Sequence, residues 1–263
     1  MPADDTASLL AFAHQLLDQT DATALRHFNG ALTVTAKPDK SLVTQADTEV
    51  ETQVRDRIAD AFPRHTVAGE EFGVEGDDGD GRWIVDPIDA THNFVRGIDV
   101  FATLLAFERQ GQLELGVVSA PAMGRRWCAV RGQGARLRAL GEERQIHTSA
   151  ITELSDAQIT FSTLRGLERA GMGDGLRRVT NAAWRDRGFG DFWGHVLVAQ
   201  GSAETMIEYG VKPWDMAAPY VIVTEAGGRM TDLEGQDSWT ARNVLSSNGH
   251  LHDELLSLLT GAG

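Results

Sequence analysis

Hydrophobic and polar positions repeat along this chain with two different periods, and their order predicts a protein of mixed helices and strands. Between residues 5 and 28, apolar side chains recur every three or four positions, as on one face of an amphipathic helix. The runs at 82–86, 101–108 and 113–120 are short and rich in apolar residues, as in buried strands. This part of the chain therefore predicts helices packed against a sheet.

The predicted elements cover most of the chain. Helices are predicted over 5–28, 46–61, 91–96, 172–182, 191–202, 215–226 and 251–260. Strands are predicted over 31–36, 65–69, 82–86, 101–108, 113–120, 126–131, 134–138, 158–163, 184–188, 204–208 and 228–232. The Gly-rich acidic stretch Gly73–Gly81 has no apolar periodicity and is interpreted as a solvated loop. Strands and helices alternate from about residue 146, which indicates layers of helix and sheet around a common core.

Composition narrows the function classes. The chain has 24 Lys and Arg against 38 Asp and Glu, and its formal net charge of −14 argues against nucleic acid or an anionic membrane as a partner. Asp4 and Asp5 stand where a signal peptide carries basic residues, and no apolar run reaches the about 20 residues of a membrane span, so a cytoplasmic protein is expected. The single cysteine, Cys128, lies in an apolar run and is interpreted as a buried thiol.

The stretch 83–91 carries the most specific chemical signal, two carboxylates at the end of an apolar strand. Pro87 stands between Asp86 and Asp89, and because it cannot donate a hydrogen bond and favours a turn, the two side chains can converge. Oxygen ligands of this kind suit hard cations such as Mg²⁺ or Mn²⁺. Thr91 stands where a helix would begin, with free N–H groups that favour an anion such as phosphate. The stretch therefore predicts a metal site beside a phosphate site.

Three further motifs place acids beside predicted elements. Glu70 and Glu71 follow a short apolar run, Asp215 opens a later helix, and Asp47 follows a strand-like segment near the start. The helix that Asp215 opens ends in Glu-Ala-Gly-Gly, at residues 225–228. In this order, the motifs resemble the signatures of the inositol monophosphatase family of Mg²⁺-dependent, Li⁺-sensitive phosphatases. The resemblance covers essentially the whole chain.

The resemblance implies a fold and an assembly. The fold is a mixed α/β, five-layer αβαβα sandwich of the inositol monophosphatase and fructose-1,6-bisphosphatase type. Residues 1–145 would form an N-terminal half that carries most metal ligands, and residues 146–263 a C-terminal half that carries Asp215 and the substrate-selecting residues. The halves are expected to form one compact unit with the metal site between them. A homodimer is expected because homodimers are usual in this family.

For the cofactor, the resemblance implies two or three Mg²⁺ ions, with Mn²⁺ as an alternative ion. Asp86 would bridge two ions. Glu70 and the Ile88 carbonyl oxygen would serve the first ion, which also places Glu70 in the catalytic set, and Asp89 with Asp215 would serve the second. Any one of these acids alone would be interpreted as an ordinary surface carboxylate, but all four in family order indicate the site.

The attacking water is assigned to Thr91 and Asp47. Thr91 would accept a hydrogen bond from the water and be oriented by Asp47, while the N–H groups of Ala90 and Thr91 hold phosphate oxygens. The alternative for Asp47 is an N-cap of the helix over 46–61, and the two roles are compatible. Lys37 resembles a family lysine near a weaker third metal position, with a solvated charge as the alternative.

Substrate choice is predicted to lie in the second half. Within the family, the chain most resembles the actinobacterial type of histidinol-phosphate phosphatase, through residues 37–39, 69–73, 93–97, 118–122, 190–193 and 247–254. Glu208 matches the position that contacts the non-phosphate part of the substrate, and Asp191 resembles an acid of the histidinol-phosphate branch, with a helix N-cap as its alternative. Histidinol carries an amine and an imidazole, which acids would complement. The predicted substrate-binding set is Asp89, Ala90, Thr91, Asp191, Glu208 and Asp215.

Departures from the family pattern leave the substrate open. Ala90 replaces the usual Gly between the motif Asp and Thr, His92 replaces the usual Lys, and the stretch 162–167 differs from the form expected for the branch. The alternatives are therefore an inositol, cyclitol or sugar phosphate as the substrate, or a catalytically inactive binding relative. The spacing of a zinc site is absent from the sequence around His92, His147, His195 and His252, and among these residues His92 is the one expected near the phosphate turn.

Overall fold

The described part of the chain comprises residues 4–28, 30, 34–36, 42–75 and 79–261 of a computed structural model. The predicted role of Lys37 falls outside these residues. The α-helices of the described part are α1 (Thr6–Phe28), α2 (Gln45–Ala61), α3 (Thr91–Val95), α4 (Leu164–Arg169), α5 (Gly173–Ala182), α6 (Asp191–Ala199), α7 (Pro213–Glu225) and α8 (His252–Thr260).

The strands of the described part are β1 (Val34–Ala36), β2 (Leu42–Thr44), β3 (His65–Gly69), β4 (Gly73–Glu75), β5 (Gly81–Asp89), β6 (Ala102–Arg109), β7 (Gln112–Ala120), β8 (Arg125–Val130), β9 (Ala135–Ala139), β10 (Glu142–Ile146), β11 (Gln158–Phe161), β12 (Arg185–Arg187), β13 (Thr205–Tyr209), β14 (Arg229–Thr231) and β15 (Asn243–Ser247). They form an eight-stranded sheet in the order β10-β9-β8-β7-β6-β5-β3-β4 and a five-stranded sheet in the order β12-β11-β13-β15-β14. The remaining pair, β1 and β2, is a small antiparallel ribbon.

Three clusters of buried side chains show that these elements stack in five layers. The first joins α1 and α2 to one face of the eight-stranded sheet, with Leu16 and Ile58 packed near Trp83. The second joins the opposite face of that sheet to α6, α7 and the five-stranded sheet. The third joins the far face of the five-stranded sheet to α4, α5 and α8. The order is the predicted αβαβα sandwich, in which α6 and α7 form the middle layer.

Strand β5 is the element of the eight-stranded sheet that positions the predicted site. It pairs in parallel with β3 and antiparallel with β6, and every residue from Trp83 to Asp89 is buried. A strand covered on both faces is almost continuously apolar, so a carboxylate within it is exceptional. The acids at the end of β5 therefore lie deep in the protein, at the boundary with the middle helix layer.

Some short elements of the structure were not predicted from the pattern of hydrophobic and polar residues. Strand β4 occupies three residues of the stretch predicted as a solvated loop, so that prediction is wrong there, because these residues pair with β3 at the sheet edge. Strand β10 is a mostly exposed, charged edge strand without apolar alternation. Strand β15 is buried although it contains Asn243, Ser246 and Ser247, because β13 and β14 pair with it on both sides. Helix α4 was likewise not predicted.

The change from one sheet to the other falls near the predicted division of the chain. Strand β10 ends at Ile146, and β11, which begins at Gln158, belongs to the five-stranded sheet. The description of 1–145 and 146–263 as two halves of one compact unit stays a prediction. Cys128 is a buried free thiol, as predicted. Within the described ranges, we find no helix that is both long enough and apolar enough to traverse a bilayer.

Candidate metal and phosphate site

A bulge in β5 allows Asp86 and Asp89 to converge. In a regular strand, residues three apart point to opposite faces, but the pairing of β5 with β6 shifts register between these two acids. Pro87 suits this irregular position because it lacks an N–H group, and its carbonyl accepts a hydrogen bond from the Thr103 hydroxyl at 2.8 Å. The Ile88 N–H donates to Asp86 Oδ1 at 3.0 Å, which tightens the turn. The bulge supplies the convergence that the motif predicts.

Asp215 reaches the same place from the middle helix layer. It lies in the first turn of α7, two residues after Pro213, whose fixed φ and missing N–H suit the first helical position. The Lys212 N–H donates to Asp215 Oδ2 at 2.8 Å. Asp86, Asp89 and Asp215 each offer an oxygen, and these three oxygens lie within 4.8 Å of one another. Two neighbouring acids of β5 and a third that is distant in sequence thus form one cluster.

Glu70 lies in the loop after β3, and this loop is held by the buried carboxylate of Glu51 on α2. Glu51 accepts hydrogen bonds from the N–H groups of Glu71, at 2.7 Å, and Phe72, at 3.2 Å. A Cβ atom on Gly69 would lie 2.1 Å from Glu51 Oε1, so the loop requires glycine at this position. The Gly-Glu-Glu motif therefore combines a structural glycine with Glu70, whose side chain lines the site.

Burial and mutual repulsion raise the pKa of each acid in the cluster. For Asp86, burial is the largest cause of the raised pKa, followed by Coulombic repulsion from Glu70 and Asp89. Burial also raises the pKa of Asp89 and brings that of Asp215 to about 7. Buried carboxylates that repel one another are costly unless a cation neutralises them, and an all-oxygen donor set suits a hard divalent ion. These residues therefore fit a divalent metal ion.

The turn that follows Asp89 has an unusual backbone at Ala90. Its φ of +65° and ψ of +44° are left-handed, which costs a residue with a Cβ atom roughly 1 kcal/mol. This geometry explains why glycine is usual here in the family pattern. The Asn93 and Phe94 N–H groups donate to the Ala90 carbonyl at 2.8 and 3.1 Å. The N–H groups that precede them have no partner within a helix and are the ones that a phosphate oxygen would use.

Thr91 and Asp47 make no hydrogen bond with each other within the described part of the chain, so the orientation of Thr91 by Asp47 stays a prediction. The Thr91 hydroxyl donates instead to the Ile88 carbonyl at 3.0 Å. Asp47 Oδ2 accepts from the backbone N–H and the hydroxyl of Thr44, at 2.7 and 2.6 Å. The alternative role of Asp47 as the N-cap is wrong, because Thr44 is the N-cap of α2 and Asp47 completes the capping box from the third helical position.

Asp47 nevertheless keeps one free acceptor. Its Oδ1 atom is buried and makes no hydrogen bond within the described part of the chain. Burial is the main cause that raises the pKa of Asp47 to about 6, and repulsion from Glu70 adds to it. Asp47 is therefore a buried acid close enough to Glu70 for the two carboxylates to repel each other.

A cavity of about 490 Å³ gathers most of the predicted site residues. Those in its lining are Glu70, Asp86, Ile88, Asp89, Ala90, Thr91, Asp191 and Asp215. Asn93, Arg96 and Thr163 line it too, as does His92, and the first three were not assigned a role from the sequence. For Asn93 and Arg96, the sequence signal that could have indicated a role was their position directly after the phosphate turn. Asp47 and Glu208 are buried outside the lining.

Asp191 and Glu208 meet at the start of α6. Gly190 is the N-cap and Asp191 is the first helical residue, with a φ of +58°, so the N-cap alternative for Asp191 is wrong. The Asp191 N–H donates to Glu208 Oε1 at 3.2 Å, and the Phe192 N–H donates to Asp89 Oδ2 at 2.7 Å. Burial, together with repulsion from Glu208, raises the pKa of Asp191 to about 7. The predicted substrate acids are thus linked to the acid cluster through one helix terminus.

Comparison with known proteins identifies relatives along the whole chain. The family model described as the inositol monophosphatase family matches residues 5–262. A histidinol-phosphatase of Streptomyces coelicolor is 45% identical over 95% of this chain and 96% of its own. A histidinol-phosphatase of Mycobacterium tuberculosis is 41% identical over 98% of this chain and 99% of its own.

Two solved structures superimpose on this chain over almost its whole length. The extragenic suppressor protein suhB of Bartonella henselae superimposes with a TM-score of 0.88 at 30% identity, over 96% of this chain and 98% of that one. The IMPase of Thermotoga maritima superimposes with a TM-score of 0.86 at 31% identity, over 96% of both chains.

Proposed function

This chain belongs to the inositol monophosphatase family, and from that premise we propose that it is a Mg²⁺-dependent phosphatase that hydrolyses L-histidinol phosphate to L-histidinol and phosphate. That it is a metal-dependent phosphatase acting on a phosphate ester follows from the family itself. The observation that carries the choice of ester is Asp191, a half-buried acid that lines the same cavity as the acid cluster. The full-length similarity to two histidinol-phosphatases supports the same choice.

We assign the metal to the acid cluster. The ligands would be Glu70, Asp86, the Ile88 carbonyl oxygen, Asp89 and Asp215, which all line the cavity. When bound there, Mg²⁺ would neutralise phosphate charge and lower the pKa of a coordinated water toward neutrality. Mn²⁺ is the alternative ion, because it takes a similar oxygen ligand set. The number of ions, two or three, is a further part of this proposal.

The chain's own groups would hold the phosphate and the attacking water. Backbone N–H groups of Ala90 and Thr91 at the start of α3 would donate to phosphate oxygens. Thr91 Oγ1 donates its hydrogen to the Ile88 oxygen, which leaves its lone pairs to accept from the water. If the Ile88 oxygen is engaged by an ion, the Thr91 hydroxyl needs another acceptor, and the unpaired Oδ1 of Asp47 is the acceptor that we propose.

The alcohol part of the substrate would lie against α6. Histidinol carries an ammonium and an imidazole group, and Asp191 offers an anionic partner for either. Glu208, which is buried behind Asp191, adds negative charge to the same region. A neutral inositol would gain less from this pair of acids, although hydroxyl groups can also donate to carboxylates.

The proposal is tested by phosphate release from L-histidinol phosphate and from inositol 1-phosphate, each with and without Mg²⁺. We expect release that requires Mg²⁺ and a larger kcat/KM for histidinol phosphate. A larger kcat/KM for inositol 1-phosphate would assign the protein to neutral polyol esters. Absence of release from both esters at saturating Mg²⁺ would contradict the proposal and favour another phosphate ester or an inactive binding relative.

We also propose that the protein is a homodimer, as the family resemblance implies. Light scattering coupled to size-exclusion chromatography measures this directly. A mass near the 28.5 kDa of one chain would contradict it.

A further inference from the structure

A row of buried polar groups stands behind the wall of the cavity. The Ser246 hydroxyl lies 2.7 Å from His195 Nδ1, and His195 Nε2 lies 2.9 Å from Glu208 Oε2. The second oxygen of Glu208, Oε1, accepts from the Asp191 N–H at 3.2 Å. The row therefore runs from the middle of the five-stranded sheet to the first residue of α6, which lines the cavity.

Burial makes each contact in this row costly to lose. His195 and Ser246 are 0% exposed and Glu208 is 5% exposed. Because an ionised carboxylate can only accept, His195 Nε2 is the donor to Glu208. Ser246 and Glu208 occupy both ring nitrogens of His195, and donors occupy both oxygens of Glu208. Unpaired buried polar groups cost stability, so this arrangement fixes the rotamers of both side chains.

The packing of α6 on β13 explains why the imidazole reaches Glu208. A Cβ atom on Gly194 would lie 2.2 Å from the sulfur of Met206, so the absence of a side chain lets the helix approach the strand closely. The next residue, His195, thereby meets Glu208, which follows Met206 by two positions and points to the same face of β13.

The end of the row is a strained residue. Asp191 has a φ of +58°, in a left-handed region that aspartate adopts more readily than most residues but still at a cost. Such a conformation persists when neighbouring contacts determine it. Here the Asp191 N–H is held by Glu208, and the next N–H, that of Phe192, is held by Asp89. Asp191 is one of the residues that line the cavity, whereas Glu208 is not.

We infer that His195 and Glu208 are positioning residues, which hold the Asp191 backbone so that its carboxylate is the direct contact for the cationic alcohol part of the substrate. This inference rests on the proposed function and revises the prediction that Glu208 itself touches the substrate. His195 was set aside from the sequence because it lacks zinc-site spacing, yet its partners are a carboxylate and a hydroxyl. Ser246 completes the row by orienting the ring.

Two substitutions at His195 separate this role from simple packing. The amide nitrogen of Gln lies near the position of Nε2, so His195→Gln keeps a donor for Glu208. The amide of Asn lies near Nδ1, so His195→Asn keeps the contact with Ser246 and leaves Glu208 without its imidazole donor. Asp191→Asn removes the proposed direct contact while keeping the side-chain volume.

The control is His252, a second fully buried histidine, which begins α8 and contacts strands of the same sheet. Its ring bonds the hydroxyls of Thr231, at 2.9 Å, and Ser247, at 2.8 Å, and no carboxylate is among these partners. His252→Asn should therefore reproduce the loss of stability of a buried imidazole without disturbing Glu208. Thermal unfolding of both Asn variants shows whether the two destabilisations are matched.

The measurement is kcat and KM for L-histidinol phosphate and for inositol 1-phosphate at saturating Mg²⁺. We expect His195→Asn and Asp191→Asn to lower the ratio of kcat/KM for the two esters by about tenfold or more, mainly through KM for histidinol phosphate, since a lost hydrogen bond to a charged group has this size. His195→Gln should retain most of the ratio, and His252→Asn all of it.

The outcomes distinguish this inference from the proposed function. If the wild-type protein does not favour histidinol phosphate, the proposed function and the inference both fail. If it does, and His195→Asn leaves the ratio unchanged or His252→Asn lowers it equally, the inference alone fails. Loss of the ratio in Glu208→Gln but not in Asp191→Asn would also overturn it, because Glu208 would then be the direct contact.

Discussion

The backbone N–H of Phe192 donates to Asp89 Oδ2 at 2.7 Å, although the two residues lie 103 positions apart. The bond joins the bulge at the end of β5 to the first turn of α6. It therefore connects a predicted metal ligand to the helix terminus that presents Asp191. The same contact, between the eight-stranded sheet and the middle helix layer, therefore holds both Asp89 and the backbone beside Asp191.

Asp89→Asn should abolish turnover while the protein stays folded. The change removes one charge from the acid cluster but keeps an oxygen that can accept from the Phe192 N–H. Loss of metal-assisted stabilisation of the transition state costs several kcal/mol, which lowers kcat about 100-fold or more. Phosphate release at saturating Mg²⁺ measures this effect. Asp174→Asn, at an exposed acid on α5, is the matched control and should behave as wild type. Near wild-type activity in Asp89→Asn would contradict the assignment of Asp89 as a metal ligand.

The stability of the metal-free protein should fall as the pH rises toward neutrality. Burial raises the pKa from 3.8 to about 6 for Asp47 and to about 7 for Asp191 and Asp215. Between these values the folded protein binds more protons than the unfolded chain, so the contribution of these groups is fully present below pH 3.8 and is lost as the pH passes through about 7.

Thermal unfolding in EDTA from about pH 4 to about pH 8 tests this pH dependence. Saturating Mg²⁺ should weaken or reverse the decline, because a bound cation favours the ionised carboxylates. A melting temperature in EDTA that rises steadily across this range would contradict the burial of an uncompensated acid cluster.

Gly69→Ala should damage the loop that carries Glu70. The new Cβ atom would overlap Glu51 Oε1, which it would approach to 2.1 Å, and Glu51 holds the loop through two backbone N–H groups. We expect a loss of about 2 kcal/mol in unfolding free energy and a higher Mg²⁺ requirement for activity, as for other buried networks that are broken. In Gly188→Ala, where the nearest atom is 3.6 Å away, both quantities should stay near wild type. An equal effect of the two substitutions would argue against the role of Glu51.

Substitutions at Ala90 should separate backbone strain from chemistry. Ala90→Gly relieves the left-handed strain but loosens the unfolded chain and removes a small buried methyl, so the net change in stability should stay within about 1 kcal/mol. Ala90→Val places a β-branched residue at the same φ and should cost about 2 kcal/mol or more and most of the activity. Chemical denaturation and phosphate release measure both. A Val variant as stable as wild type would contradict the left-handed turn.

The sequence by itself determined the fold class and the identity of the acids at the site. Asp86, Asp89 and Asp215 stand at the end of a buried strand and the start of a helix, where local rules of proline, capping and apolar periodicity place them. These signals act over a few residues and predict the element beside each acid, and the family order of the motifs then assigned the acids to one site. They do not depend on which element lies opposite.

Tertiary structure decided how the remaining polar groups pair. It placed β15 in the core despite its polar residues and brought His195 to Glu208, whereas the pairing of Asp47 with Thr44 is a local capping box. A hydroxyl, an imidazole or a carboxylate can pair with many partners, and a buried group takes whichever complementary atom the packing of distant layers places within about 3 Å. That distance is set by close approach of elements such as α6 and β13, which no local pattern encodes.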